Sequence, residues 1–160
     1  MSITVYYGSN MEVAHPDSNV GRLSLDFGQG FYVTDIKDQA WGWARQVAGK
    51  RGGRPVVNTY TLLRDDLFKE ATTKVFERYD KEWLDFVVKN RQQMATEAYD
   101  YVEGGVADDR VIDSVRLYMM GLLPMDITLQ RLTIHKPNNQ ICLRNQRVIN
   151  NYLIYDGADK

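Results

Sequence analysis

The stretch DFGQGFYVT, residues 26–34, places three aromatic side chains and two glycines close together. Aromatic residues favour β-strands, whereas a glycine weakens a strand and permits a sharp turn or a close approach of two backbones. We therefore predict a turn around Gly28 and a strand over residues 30–34. Successive strand residues point to opposite faces, so one of Phe31 and Tyr32 enters the core and the other lines a cleft as a flat stacking surface. A hairpin with both rings in the core explains the pattern equally well.

Length and composition predict one folded domain over residues 1–160. The chain is 44% hydrophobic and 26% charged, which is ordinary for a globular protein with a real core. No apolar run approaches the length of a bilayer span, and MSITVYYGS at the start lacks the features of a signal peptide. Cys142 is the only cysteine and cannot form an internal disulfide, so we expect a cytoplasmic protein without a membrane partner.

The charge balance gives little sign of a nucleic-acid or metal site. A net charge of −1 provides no global basic surface. The run GKRGGR, residues 49–54, could contact phosphate, although a solvated loop between a helix and a strand is the favoured interpretation. Two scattered histidines and one cysteine argue against a zinc site, and we expect no metal.

Single strands separated by helices of unequal length predict an α+β fold with a split, mostly antiparallel sheet and flanking helices. The predicted strands cover residues 2–7, 30–34, 54–63, 74–77, 99–103, 140–143 and 152–155. The predicted helices cover 36–48 after an Asp35 cap, 79–92, a segment capped by Asp108, a short segment from Pro124, and a last short helix or turn within 145–155.

A second motif, Tyr6-Tyr7-Gly8-Ser9, ends the first predicted strand. A strand ending in glycine lets a ligand approach the backbone, where the N–H and C=O groups of Gly8 could hold a flat amide. Taken alone, the motif is better explained as a plain strand-to-loop turn.

The two motifs together resemble the catalytic domain of poly-ADP-ribose polymerases. There a Phe-Gly-x-Gly-Ile-Tyr stretch follows a strand ending in His-Gly-Ser and precedes a strand that opens with Asn-Glu. This sequence has Tyr7-Gly8-Ser9, Gly30-Phe31-Tyr32 and Asn139-Gln140 in the same order. A closer resemblance is to a bacterial family of the ADP-ribosyltransferase superfamily, DUF3990. Its five sequence blocks correspond to residues 6–9, 26–34, 83–91, 99–109 and 138–140.

The resemblance implies that NAD binds as a substrate and that its nicotinamide–ribose bond is cleaved. It assigns the nicotinamide carboxamide to the Gly8 backbone and the pyridinium ring to Tyr32, within a segment that includes Gly30 and Phe31. Ser9 then holds the nicotinamide end or a ribose. Gln140 takes the place of the glutamate that bonds the ribose 2′-hydroxyl.

Two departures from the polymerase pattern bear on turnover. Tyr7 replaces the family histidine, and its phenol can still donate a hydrogen bond to a ribose hydroxyl or a phosphate. Gln140 can accept from a hydroxyl, but it supplies neither a general base nor a negative charge against the oxocarbenium-like ribose. Glutamine also occurs in the DUF3990 motif, so Gln140 is not peculiar to this chain.

Other residues have both a functional and an ordinary explanation. Glu103, before two glycines, could supply the missing carboxylate or be an exposed strand end, and Arg22 could pair with the NAD pyrophosphate or lie on the surface. His15 and His135 are predicted to lie in loops. Three tryptophans are predicted to lie in the core: Trp41, Trp43 and Trp83.

The favoured function is a mono-ADP-ribosyltransferase that moves ADP-ribose from NAD to a macromolecule, with protein favoured narrowly over nucleic acid as the acceptor. The resemblance further suggests a bacterial toxin or effector with a cognate antitoxin protein. Two alternatives remain: a catalytically weak module that binds NAD or ADP-ribose, and an NAD glycohydrolase.

Overall fold

The structure is a computed structural model that describes residues 1–19, 25–95, 97–107, 109–132 and 138–160. Three residues singled out from the sequence lie outside these ranges: Arg22, Asp108 and His135.

Seven strands and six helices alternate irregularly along the described residues. The strands are β1 (Ile3–Ser9), β2 (Phe31–Val33), β3 (Val56–Leu62), β4 (Thr73–Val75), β5 (Tyr101–Gly104), β6 (Gln140–Leu143) and β7 (Leu153–Asp159). The helices are α1 (Lys37–Arg51), α2 (Arg64–Glu70), α3 (Lys81–Arg91), α4 (Asp109–Met119), α5 (Met125–Leu132) and α6 (Gln146–Tyr152).

The strands form two sheets, which confirms the predicted α+β class. The first sheet has the order β1-β3-β7 and the second has the order β2-β6-β5-β4. Neighbouring strands are antiparallel except for the β4–β5 pair. Among the described residues, one bridge between Tyr6 of β1 and Thr34, next to β2, connects the two sheets.

The second sheet is buried on both faces. Side chains directly opposite in adjacent strands share a face, so Tyr32, Cys142 and Val102 lie together on one face. We call this the helical face, because it packs on a core that includes residues of α3, α4 and α5. The opposite face, which we call the inter-sheet face, carries Phe31 and Leu143 and shares a core with the first sheet.

Several predicted boundaries are wrong in instructive ways. Helix α1 continues through the basic run to Arg51 and ends where Gly52 and Gly53 have positive φ angles. Asp35 does not cap this helix; instead the Thr34 hydroxyl oxygen accepts a hydrogen bond from the Ile36 N–H at 3.1 Å. Helix α2 was not predicted at all. Across the described residues, no helix is both long and apolar enough to span a membrane.

Candidate functional site

The two sheets separate between strands β1 and β2. Tyr6 and Thr34 exchange two backbone hydrogen bonds, of 2.8 and 3.0 Å, and within the described residues the pairing of the two strands goes no further. Backbone groups alternate sides along a strand, so Gly8 directs its N–H and C=O to the same edge as Tyr6. By the same rule, Tyr32 directs its backbone groups to the same edge as Thr34.

The backbone edges of Gly8 and Tyr32 are therefore turned toward each other, and within the described residues no backbone hydrogen bond joins them; we call the space between these two edges the slot. Continuing the register of the Tyr6–Thr34 bridge places them opposite each other. Buried N–H and C=O groups that lack a partner are costly, so the slot favours a ligand that supplies both a donor and an acceptor. A primary carboxamide has both groups in one plane.

Helix α1 closes one side of the slot. A side-chain carbon added at Gly8 would lie 2.1 Å from the Ala40 carbonyl oxygen and 3.0 Å from Cβ of Trp43. Only glycine permits this contact of a helix with a strand. Trp83 is fully buried, as predicted, whereas Trp41 and Trp43 are only half-buried, and Trp43 stands next to the slot.

Gln140 and Asp26 form the polar centre of the helical face. The Gln140 amide nitrogen donates to one Asp26 carboxylate oxygen at 3.1 Å and to the Gly105 carbonyl at 3.4 Å. The same Asp26 oxygen accepts from the Ala107 N–H at 2.9 Å, and the other oxygen accepts from Arg91 Nε at 2.7 Å. Asp26 and Gln140 are both buried.

Tyr32 fixes the turn that precedes its own strand. Its hydroxyl donates to the Gly28 carbonyl at 2.5 Å and accepts from the Phe27 N–H at 3.0 Å. Its ring lies against that of Phe27, with 6.4 Å between the ring centroids. Burial raises the pKa of the Tyr32 phenol well above its ordinary value. The structure thus gives Tyr32 a local structural role besides the predicted stacking role.

Gly30 brings β2 close to β6. A side-chain carbon at this position would lie 2.5 Å from Cys142 Sγ and 2.9 Å from the Leu143 carbonyl oxygen. Gly28 has φ of 80°, which lets the chain turn before the strand. The two glycines of the opening stretch therefore serve a turn and a close strand contact, as the sequence indicated.

The structure separates the predicted site side chains into two groups. Tyr32 and Gln140 share the helical face, whereas Tyr7 and Phe31 contact each other on the inter-sheet face, with ring centroids 4.6 Å apart. Ser9 is buried at the end of β1, directly after Gly8.

Glu103 also lies on the inter-sheet face, opposite Ile141 in the β5–β6 ladder. Its carboxylate pairs with Arg64 at 2.9 Å and accepts from the Tyr101 hydroxyl at 2.5 Å and from Asn139 Nδ2 at 3.2 Å. The predicted catalytic carboxylate is thus separated by the sheet from Gln140. The carboxylate that contacts Gln140 is Asp26, which the sequence analysis missed although it is the first residue of DFGQGFYVT.

The described residues line at least two open cavities. The larger, of about 610 Å³, is lined by residues that include Gly28, Tyr99 and Arg144. The other, of about 540 Å³, is lined by residues that include His15 and Ile149. The described linings of both cavities omit Gly8 and Gln140, so neither cavity coincides with the slot.

The fold and the site define an α+β protein whose two sheets part at a backbone slot, beside a buried carboxylate–amide network. A family model described as "Protein of unknown function (DUF3990)" matches residues 3–155, and the chain belongs to this family. No curated protein and no solved structure matches the chain.

Proposed function

We propose that the protein is a mono-ADP-ribosyltransferase with an ADP-ribosyltransferase-like core, and that the slot receives the nicotinamide of NAD. The observation that carries this proposal is the pair of backbone edges at Gly8 and Tyr32, which face each other where the sheets part. Together they offer the donor and the acceptor that a carboxamide requires. Trp43 of helix α1 lies next to Gly8, and Tyr32 itself carries the second edge, so both edges have an aromatic residue beside them.

The proposed reaction breaks the bond between the nicotinamide nitrogen and ribose C1′. The bonding electron pair leaves with nicotinamide, which becomes neutral, while positive charge develops on the ribose. A nucleophile of the acceptor then forms a bond to C1′ and loses its proton to solvent or to a neighbouring base. The protein contributes by holding both partners in place and by stabilising the developing charge.

Gln140 has an orienting role in this proposal. Its amide nitrogen is engaged by Asp26 and Gly105, so the carbonyl oxygen is the part of the side chain that could accept from a ribose hydroxyl. An amide cannot abstract a proton at neutral pH, so Gln140 is not a general base. Its substitution by alanine is expected to slow NAD cleavage about 10²-fold.

The test is incubation of the purified protein with NAD labelled in the adenylate part, together with a cell lysate. Transfer of label to macromolecules, with release of nicotinamide, supports the proposal. Digestion of the labelled material with protease or with nuclease then identifies the acceptor as protein, which we favour, or nucleic acid. A parent protein that neither releases nicotinamide nor labels any macromolecule contradicts the proposal.

The neutral, buried Gln140 favours one alternative, a module that binds NAD or ADP-ribose without turnover. The carboxylate next to Gln140 is already paired with Arg91, which reduces the negative charge available to an oxocarbenium-like ribose. Calorimetric binding of NAD without release of nicotinamide supports this alternative. Release of nicotinamide without labelling of any macromolecule instead indicates a glycohydrolase.

A further inference from the structure

Asp26 is a buried carboxylate that contacts three separate parts of the chain. Arg91 at the end of α3 forms an ion pair with it, the Ala107 N–H after β5 donates to it, and the Gln140 amide at the start of β6 donates to it. Only 6% of Asp26 is exposed. A buried charge needs such partners, and all three of these contacts are made by hydrogen-bond donors.

The contact with Asp26 decides which end of the Gln140 amide is offered to a ligand. An ionised carboxylate only accepts hydrogen bonds, so the NH₂ group of the amide must face it. The Gly105 carbonyl, a second acceptor, fixes the same orientation. The carbonyl oxygen of Gln140 is therefore directed away from Asp26, and no described residue donates a hydrogen bond to it.

The same contact makes the amide carbonyl of Gln140 a stronger hydrogen-bond acceptor. A hydrogen bond from an amide N–H to a carboxylate is charge-assisted, and linked hydrogen bonds polarise one another in a medium of low dielectric constant. Electron density shifts within the amide toward its oxygen, which becomes a better acceptor. A buried negative charge can in this way act through a neutral side chain.

We propose that Asp26 is a positioning residue for the reaction: it orients the Gln140 amide and strengthens its carbonyl as the acceptor for a ribose hydroxyl of NAD. This inference rests on the proposed function. It also answers the question raised by the neutral Gln140, because the negative charge missing from position 140 lies one hydrogen bond further away.

The proposal also predicts the behaviour of Gln140→Glu. By itself, that substitution sets two carboxylates about 3 Å apart, where like charges disfavour double ionisation and one group retains a proton. The folded-state pKa of the coupled pair then rises above the unfolded value. The stabilisation of the folded variant by this bound proton is present below the pKa of the unfolded state. It is lost as the pH rises through the pKa of the folded state. The melting temperature of Gln140→Glu should therefore fall, relative to that of the parent protein, as the pH rises from about 5 to 8.

The decisive variants are Asp26→Asn and the double substitution Asp26→Asn with Gln140→Glu. The single change removes the charge and is expected to lower kcat for NAD cleavage about 10²-fold, with KM for NAD within about threefold of the parent. The double change returns a carboxylate to position 140 and a donor to position 26. The kcat of this double variant is expected to be at least about tenfold higher than that of Asp26→Asn.

This recovery separates positioning from a merely structural role. Both variants break the ion pair with Arg91, so a purely structural defect would leave them equally inactive. Asp100→Asn is the matched control, because Asp100 accepts from Thr72 N–H and from Asn145 Nδ2 without contacting Gln140. Its kcat is expected to stay within about twofold of the parent value.

Two results would overturn the inference where the parent cleaves NAD: an unchanged kcat in Asp26→Asn, or a double variant no more active than this single variant. If the parent does not cleave NAD, the proposed function fails, and the melting temperatures then test the contact by themselves. The described Asp26–Gln140 pairing is contradicted if the melting temperature of Gln140→Glu depends on pH in the same way as that of the parent. It is also contradicted if adding Asp26→Asn does not abolish the extra pH dependence of Gln140→Glu.

Discussion

The two faces of the second sheet each hold a carboxylate beside an arginine, buried for Asp26 and half-buried for Glu103, yet the two pairs serve different ends. On the helical face, Asp26 pairs with Arg91 and holds the amide of Gln140. On the inter-sheet face, Glu103 pairs with Arg64 and accepts from Tyr101, another residue of its own strand. The first pair controls a side chain at a strand end, whereas the second fastens helix α2 to the sheet. A charged residue next to glycines is therefore not enough to indicate a functional site. The sheet face on which its side chain lies and the groups that it contacts determine its role.

The largest expected difference between the two faces is in stability. Asp26→Ala leaves the partly buried Arg91 guanidinium, the Ala107 N–H and the Gln140 amide without their acceptor, which costs about 3–5 kcal/mol of unfolding free energy. Urea denaturation followed by circular dichroism measures this loss. A loss below about 1 kcal/mol would show that the network contributes little.

A smaller effect is expected for the tyrosine hydroxyl on the helical face. Tyr32→Phe removes the acceptor of the Phe27 N–H and the donor to the Gly28 carbonyl, at a cost of about 1–3 kcal/mol. Because the ring remains, the increase in melting temperature caused by NAD should persist in Tyr32→Phe and be largely lost in Tyr32→Ala. If folded Tyr32→Ala binds NAD as the parent does, the ring has no part in binding.

The comparison predicts a modest effect for Glu103→Gln. The amide oxygen retains one acceptor for Arg64 or Tyr101, so the loss of stability should be about 1–2 kcal/mol. No change in the rate of NAD cleavage is expected, since the sheet separates Glu103 from Gln140. A strong fall in kcat with unchanged NAD affinity would return Glu103 to the site and reverse the assignment of the two faces.

The smallest effect concerns the thiol on the helical face. Burial raises the pKa of Cys142 from 9.0 to about 12, so the folded protein keeps the thiol protonated where the unfolded chain loses its proton. The stability that this provides is complete below pH 9 and falls as the pH rises toward 12. Between pH 7 and about 9.5, the parent should lose about 1 kcal/mol more than Cys142→Ala in urea titrations. Equal losses in the two proteins would mean that the thiol is not shielded.

Local patterns predicted many of the elements but few of the contacts. The strand over residues 140–143 was predicted with its observed bounds, since a short apolar run follows Pro-Asn-Asn in the sequence, a pattern typical of turns. Helix α2 was missed because it is only seven residues long and follows directly on a clear strand pattern. The Asp35 cap was wrong because the neighbouring Thr34 hydroxyl accepts the N–H of Ile36.

The site was predicted only as far as local sequence determines it. The glycines at positions 28 and 30 indicated a turn and a close approach, and both are present. The face of Glu103 depends on the register of β5 against β6, which no short stretch of sequence encodes. The role of Asp26 depends on partners that are remote in the chain and could not be deduced from its own neighbours.

The reach of the Asp26 contacts has a consequence for folding kinetics. Its three partners lie 65, 81 and 114 positions further along the chain. Contacts between remote residues form only after the entropy cost of closing long loops has been met, and they slow folding. During synthesis from the ribosome, Asp26 emerges long before Gln140, and the amide cannot be oriented until β6 has joined the sheet. The nascent chain thus remains without a completed site until β6 has folded against β5.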